Sequence, residues 1–272
     1  MTTKLVKPGK EMRDLVELMA VLRGDGGCPW DREQTHLSLK PYAVEETYEV
    51  LEAIDSGSRE KLCEELGDLL LQVVFHAQLA AEAGSFTMDD VIEGVCAKLI
   101  RRHPHVFGGV KVAGVAGVLD NWERIKKEEA KDERPSALDG VPQDLPGLLK
   151  AEKLQAKAAK VGFDWGNLEG PLAKVKEEIA EFEEVLGTNP VPHRGEAAWD
   201  KLEDEFGDIL FSLVNLGRFL DINPEMALRR TITKFINRFR FIESEAKNQG
   251  KKLTEMSLAE MDCLWDQAKG DE

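Results

Sequence analysis

With 272 residues and a formal net charge of −15, the chain is long enough to bury two ordinary cores. Its acidity excludes a free-standing surface for nucleic acid or an anionic membrane, so a polyanionic ligand must arrive with its own cations. Cys28, Cys63, Cys96 and Cys263 show no Cys-x-x-Cys spacing, the first residues lack an apolar signal core, and no apolar run approaches the ~18 residues of a membrane span; the expectation is a reduced, cytoplasmic protein without membrane association.

Strand signals are scarce, while apolar residues recur at three- and four-residue spacing, which predicts an all-α chain. In the first half, helices are expected over 10–23, 40–55, 59–83, 88–102 and 119–131, with Gly24, Gly57 and Gly84 near their ends and Thr87 with Asp90 as a capping box. In the second half they fall over 146–161, 171–186, 199–219, 224–247 and 257–268. Asn223 and Pro224 open one of these, and Ser257 with Glu260 caps the last. Between the halves, Arg134 to Pro142 and Leu145-Pro146-Gly147 are too rich in proline and glycine for continuous helix. The predicted organisation is therefore a helical domain over 1–133, a linker over 134–145 and a second helical domain over 146–272.

The halves align as a repeat. Glu45-Glu46-x-x-Glu49 and Glu65-Leu66-Gly67-Asp68 return as Glu177-Glu178-x-x-Glu181 and Glu205-Phe206-Gly207-Asp208. Lys98 and Arg102 return as Lys234 and Arg238, and Trp122 as Trp265. On a helix, residues three or four apart share a face, so each Glu-x-x-Glu or Glu-x-x-Asp makes a two-carboxylate comb. Two facing combs form a cage of hard oxygen donors suited to Mg²⁺ or Mn²⁺ rather than zinc. One glutamate-rich helix is ordinarily a solvated face. Here, however, Leu202, Phe206, Ile209, Leu210, Leu213 and Val214 surround the second comb, and Leu62, Leu66, Leu69, Leu70, Val73 and Val74 surround the first, and carboxylates beside a buried stripe need a cation or a donor.

Gly67 and Gly207 lie inside predicted helices at a cost of ~1 kcal/mol each relative to alanine, which points either to a tight helix crossing or to the close approach of a facing helix or ligand. Lys234 and Arg238 read as salt-bridge partners or, beside a carboxylate cage, as phosphate clamps. Gly162-Phe163-Asp164-Trp165 reads as a helix stop with an aromatic staple or as part of a site, and Cys28-Pro29-Trp30-Asp31 as a turn with a packing tryptophan. His76, His103, His105 and His193 show no ligand spacing and read as ordinary polar or packing residues.

These residues, together with Gln34-Thr35-His36, Arg102-His103-Pro104-His105-Val106-Phe107-Gly108 and Asn121-Trp122-Glu123-Arg124-Ile125-Lys126, make the chain resemble, nearly end to end, the MazG family of the all-α pyrophosphohydrolase superfamily. The resemblance implies helical domains paired in an intertwined homodimer and Mg²⁺-dependent hydrolysis of nucleoside triphosphates at the α-phosphorus to monophosphate and pyrophosphate. It also implies broad base tolerance and a role in cleaning the nucleotide pool or limiting stress nucleotides. In two-domain members the C-terminal domain is associated with hydrolysis. By resemblance the metal ligands there are Glu178, Glu181, Glu205 and Asp208, and the nucleotide contacts are Lys174 to Glu178, Lys201 to Asp204, Lys234 to Arg238, and Trp265. Glu177 is the candidate for orienting the attacking water, and Trp265 for stacking on the base. Glu46, Glu49, Glu65 and Asp68, with Lys98 and Arg102, form a second candidate metal set that is catalytic, regulatory or a dimerisation module. Gly108 to Val118 departs from the family, which is usually acidic there, and leaves that loop's conformation open. A helical interaction scaffold with structural metal sites is the rival reading. A ferritin-like di-iron site is disfavoured, because neither Glu65 nor Glu205 has a histidine three residues on.

Overall fold

The structure, a computed structural model, describes residues 9–129, 135–187 and 193–270. Among these residues there are helices and turns and no strand, as the sequence periodicity requires. The chain divides into two compact units, Met1–Glu129 and Ala130–Glu272.

In the first unit, α1 (Met12–Arg23), α2 (Pro29–Glu33), α3 (Lys40–Ser56), α4 (Arg59–Glu82), α5 (Met88–Arg102), α6 (Pro104–Phe107) and α7 (Gly114–Glu129) follow one another. Gly57, left-handed at φ 68°, stops α3, and Ser58 then caps α4 by accepting the Lys61 amide. The expected Thr87/Asp90 box opens α5, with both reciprocal bonds made. The core gathers Met19, Leu39, Val74, Phe75, Ala77 and Met88, with Leu15, Val16 and Leu71 packed around them. α3 lies along α4, which sets the two carboxylate combs opposite each other. Arg23 ties α1 to the end of α4 through Glu82, at 2.7 and 2.9 Å.

Three details differ from the sequence reading. Cys28-Pro29-Trp30-Asp31 is the start of a short helix rather than a turn, because Pro29 at the first helical position has no amide to satisfy. Trp30 remains half-exposed, edge-on to Tyr42 at 5.9 Å. Residues 114–118 of the Gly/Val/Ala stretch form the first turns of α7, five residues before the expected start; positions 130 and 131 of that predicted helix lie outside the described residues.

In the second unit, residues 135–146 carry turns, and position 134 of the expected linker lies outside the described residues. α8 (Gly147–Lys160), α9 (Glu169–Leu186), α10 (Ala197–Phe219), α11 (Pro224–Asn248), a 3₁₀ turn (Leu253–Glu255) and α12 (Leu258–Gly270) follow. Lys157 donates to the Asp139 carbonyl at 2.8 Å, which ties the turns back onto α8. Asn223 accepts the Met226 amide at the head of α11. Ser257 and Glu260 make the expected box at the head of α12. α10 packs along α9 and against α8, while α11 and α12 close a separate small core of Ile242, Ala246, Met256 and Leu264.

The carboxylate-bearing helices are less deeply buried than their sequence suggested. Leu202 and Val214 are buried, but Phe206, Leu210 and Leu213 on α10 and Leu66 and Val73 on α4 are exposed. An added Cβ at Gly67 or Gly207 meets nothing within 4 Å. The expected crossing or close approach of a facing helix is therefore not made within the described chain, and both glycines border open space. The four cysteines are free thiols.

Candidate functional site

In the second unit, α9 presents Glu178 and α10 presents Glu205 and Asp208 so that one carboxylate oxygen from each lies within 4.8 Å of the others. The helical spacing of Glu205 and Asp208 puts that pair on one face, and the packing of α9 on α10 supplies the third. Glu178 is the buried member, 5% exposed. The Lys174 ammonium, one turn earlier on α9, pairs with Glu178 at 2.7 Å and Glu177 at 2.9 Å. These two carboxylates hold the lysine firmly protonated, raising its pKa above the usual lysine value. Glu181 stands outside the three-oxygen group yet feels it: burial first, and then the charges of Glu178 and Glu205, push its carboxyl up.

The first unit carries a counterpart in which Glu46, Glu49 and Glu65 bring oxygens within 4.8 Å of one another, with Asp68 the member left outside. Burial and then the Asp68 charge raise the Glu46 carboxyl; burial and then Glu49 raise that of Glu65. The position equivalent to Lys174 is Tyr42, so this cluster has no lysine one turn before it. Both sets consist of carboxylate oxygens alone, the chemistry that suits Mg²⁺ or Mn²⁺ and not zinc.

The candidate clamp residues are placed differently. Lys201 and Lys234 are exposed on α10 and α11. Arg238 lies over the Trp265 ring at 5.4 Å, and Trp265 also meets Phe235 at 5.3 Å. In the first unit Lys98 is exposed, whereas Arg102 is engaged by Glu129, with Nη2 at 2.5 Å from Oε2, and Arg101 holds the other oxygen at 2.7 Å. Those hydrogen bonds, Arg102 first, pull the Glu129 carboxyl down to about 2.

Lys174, Glu178 and Asp208 also line a cavity of about 490 Å³. Sequence reasoning missed several residues around it: Gln155, Ser212, Asn215 and Arg218. Asp164 takes two hydrogen bonds from Arg218, at 2.5 and 3.0 Å. The motif Gly162-Phe163-Asp164-Trp165 thus does end α8, with Gly162 at φ 90°, but Phe163 is 81% exposed and staples nothing. The only available signal was the motif itself, since a partner 54 residues away leaves no local trace. In the first unit, sequence also missed the pairing of His36 and His76, whose Nδ1 atoms are 2.8 Å apart with the rings stacked. Burial, then the His36 charge, lowers the His76 pKa; the sharing of one proton between the two nitrogens requires at least one neutral ring.

Comparison with known proteins agrees with this arrangement. A family model described as the MazG nucleotide pyrophosphohydrolase domain matches residues 34–107. The chain is 45% identical over 257 residues to a Thermotoga maritima protein named nucleoside triphosphate pyrophosphohydrolase/pyrophosphatase MazG, covering 94% of this chain and 95% of that one. It is 44% identical over 260 residues to the Escherichia coli K12 nucleoside triphosphate pyrophosphohydrolase, covering 95% and 97%. It also matches the Bacillus subtilis protein YabN, named as uncharacterized, at 50% identity over 91% of this chain and 49% of that one. Duplicated carboxylate combs on an all-helical frame and identity across nearly the whole length of these relatives lead to one conclusion: the chain belongs to the MazG family of nucleotide pyrophosphohydrolases.

Proposed function

We propose that this protein is a Mg²⁺-dependent nucleoside triphosphate pyrophosphohydrolase that cleaves ribo- and deoxyribonucleoside triphosphates to monophosphate and pyrophosphate with broad base tolerance. Mn²⁺ is the expected substitute metal. The observation that carries this reading is the convergence of Glu178, Glu205 and Asp208, of which Glu178 and Asp208 also line a cavity, in a chain whose full-length relatives are named for that activity.

Glu178, Glu181, Glu205 and Asp208 are the residues that would hold the metal, which when bound polarises phosphoryl oxygens and lowers the pKa of water. Lys174, paired with Glu177 and Glu178, offers a positive charge beside the carboxylates, and Glu177 is the residue assigned to orient the attacking water. Lys201, Lys234 and Arg238 offset the remaining charge of the triphosphate. The exposed apolar faces of α10 and α11 support a homodimer, and the role that fits is housekeeping of the cytoplasmic nucleotide pool or control of stress nucleotides. The first-unit set of Glu46, Glu49, Glu65 and Asp68 reads as a regulatory or structural metal site, since Arg102, its candidate clamp, is already paired with Glu129.

The test is pyrophosphate and monophosphate release from the four common ribonucleoside and four deoxyribonucleoside triphosphates, with Mg²⁺ and with EDTA. Asp208→Ala should lose roughly a hundredfold or more of the metal-dependent rate, while Asp68→Ala keeps most of it. Equal loss in both variants would place catalysis in both units. No release by well-folded wild type would overturn the enzymatic reading in favour of a helical scaffold with structural metal sites.

A further inference from the structure

The segment that reads from sequence as a linker is tied to the second unit at both ends of its course. Two lysines seven residues apart, on one face of α8, reach it: Lys157 Nζ donates to the Asp139 carbonyl at 2.8 Å and Lys150 Nζ to the Gln143 carbonyl at 3.2 Å. The earlier carbonyl meets the later lysine, so the segment runs antiparallel to α8 and its first turn lies toward the C-terminal end of that helix. That turn is closed on itself. The Ser136 amide donates to Asp139 Oδ2 at 3.0 Å, the Leu138 amide donates to Ser136 Oγ at 3.2 Å, and Gly140 leaves the turn at φ 81°. The turn delivers Leu138 to the cavity that Glu178 and Asp208 also line. Leu138 is 43% exposed, so core packing does not anchor it there. The 162–165 turn, which also contributes to the lining, is held more firmly, because Asp164 takes two hydrogen bonds from the Arg218 guanidinium. A two-bonded charge pair is stronger and more directional than one ammonium on a neutral carbonyl. Of these two non-helical parts of the wall, the linker segment is therefore the one less tightly fixed.

We propose that residues 136–143 form a strap that closes on the second-unit site when substrate binds, with Lys157 as the positioning residue that holds the closed form. The inference rests on the pyrophosphohydrolase reading of the same site. With Lys157 on Asp139 and Leu138 in the cavity lining, the form described is the closed one. Releasing it breaks one ammonium-to-carbonyl bond and exposes one leucine further, which leaves the internal bonds of the turn intact. Substrate in the cavity adds contacts to Leu138 that only the closed form makes, so its binding draws the strap shut. Closure of this kind excludes water and slows the escape of substrate. Lys157 is not among the residues lining the cavity, so it acts through the Asp139 carbonyl and not on the substrate.

The test pairs kinetics with hydrogen exchange. Lys157→Met keeps the stem and removes the donor; it should raise KM for ATP by about fivefold, the worth of one hydrogen bond, with kcat within about twofold of wild type. Lys157→Arg, which keeps a cationic donor, should restore most of that loss. Leu138→Ala removes a partly exposed side chain and should raise KM by a similar factor without moving the thermal midpoint; if Lys157→Met fails to fold, this variant decides by the same criterion. In wild type with Mg²⁺ and α,β-methylene-ATP, whose bridging carbon cannot be cleaved, the amides of residues 136–146 should exchange about fivefold more slowly than without the nucleotide, and Lys157→Met should lose most of that protection at saturation. An active wild type whose KM is matched by folded Lys157→Met and Leu138→Ala would overturn the strap and leave the pyrophosphohydrolase reading standing. Unchanged exchange over 136–146, with binding of the analogue shown by titration calorimetry, would overturn it equally. Absence of pyrophosphate release from any nucleotide by well-folded wild type would remove both.

Discussion

Glu129 shows how one carboxylate decides what its neighbours can do. It occupies Arg101 and Arg102 together, at 2.7 and 2.5 Å, and so engages the arginine that the sequence offers as a candidate phosphate clamp in the first unit. Its carboxyl is held at about 2, against an unfolded value near 4.5. Because the folded pKa is depressed, the stabilisation is fully present above the unfolded value and is lost as pH falls through the folded one. The difference in thermal midpoint between wild type and Glu129→Gln should therefore be constant from pH 7 to about 5 and should shrink between 4.5 and 2. A difference that persisted unchanged to pH 2.5 would mean that packing, not charge, holds the contact. At this same scale, spacing along the chain marks the candidate carboxylates but not their groupings. Asp68 is left outside one three-oxygen set and Glu181 outside the other, because side-chain rotamers and the meeting of two helices, not spacing along one, decide which oxygens converge.

Among the elements, α10 combines a comb of carboxylates with a glycine that has no internal reason to be there. Gly207 stands in mid-helix, and an added Cβ would meet nothing within 4 Å. Alanine at that site removes the entropic penalty of glycine without a clash, so Gly207→Ala should raise the urea midpoint of the isolated chain by the equivalent of about 0.5–1 kcal/mol. If the open space is kept for a ligand or a second chain, the same substitution should cut pyrophosphate release while stabilising the helix. Stabilisation with full activity would show that the glycine serves neither. Helix ends were legible because caps are local: Ser257 with Glu260 and Asn223 before Pro224 act within three residues of themselves. The short helices α2 and α6 were not, since four or five residues carry too little periodicity to stand out from a turn.

For the whole molecule, the exposed apolar surface is the unfinished part of the fold. Leu228, Ile232, Phe235, Ile236 and Phe239 recur at helical spacing along α11 and are all exposed, as are Ile92, Val95 and Leu99 along α5. Contiguous apolar faces of this kind mark interaction surfaces in soluble proteins. Light scattering should therefore give twice the chain mass for wild type. Ile232→Glu with Phe235→Glu should give a monomer that retains its helical circular dichroism; a monomeric wild type would remove the dimer from the proposal. The sequence by itself determined the all-helical class, most helix boundaries, the repeated combs and the family, because helical periodicity, caps and short motifs are written within a few residues of one another. Only the tertiary structure decided which carboxylates converge, that Glu129 claims Arg102, and that Gln155, Asn215 and Arg218 line one cavity with Glu178 and Asp208. Those outcomes depend on which helix faces pack together across tens of residues, and no local pattern in the chain encodes that choice.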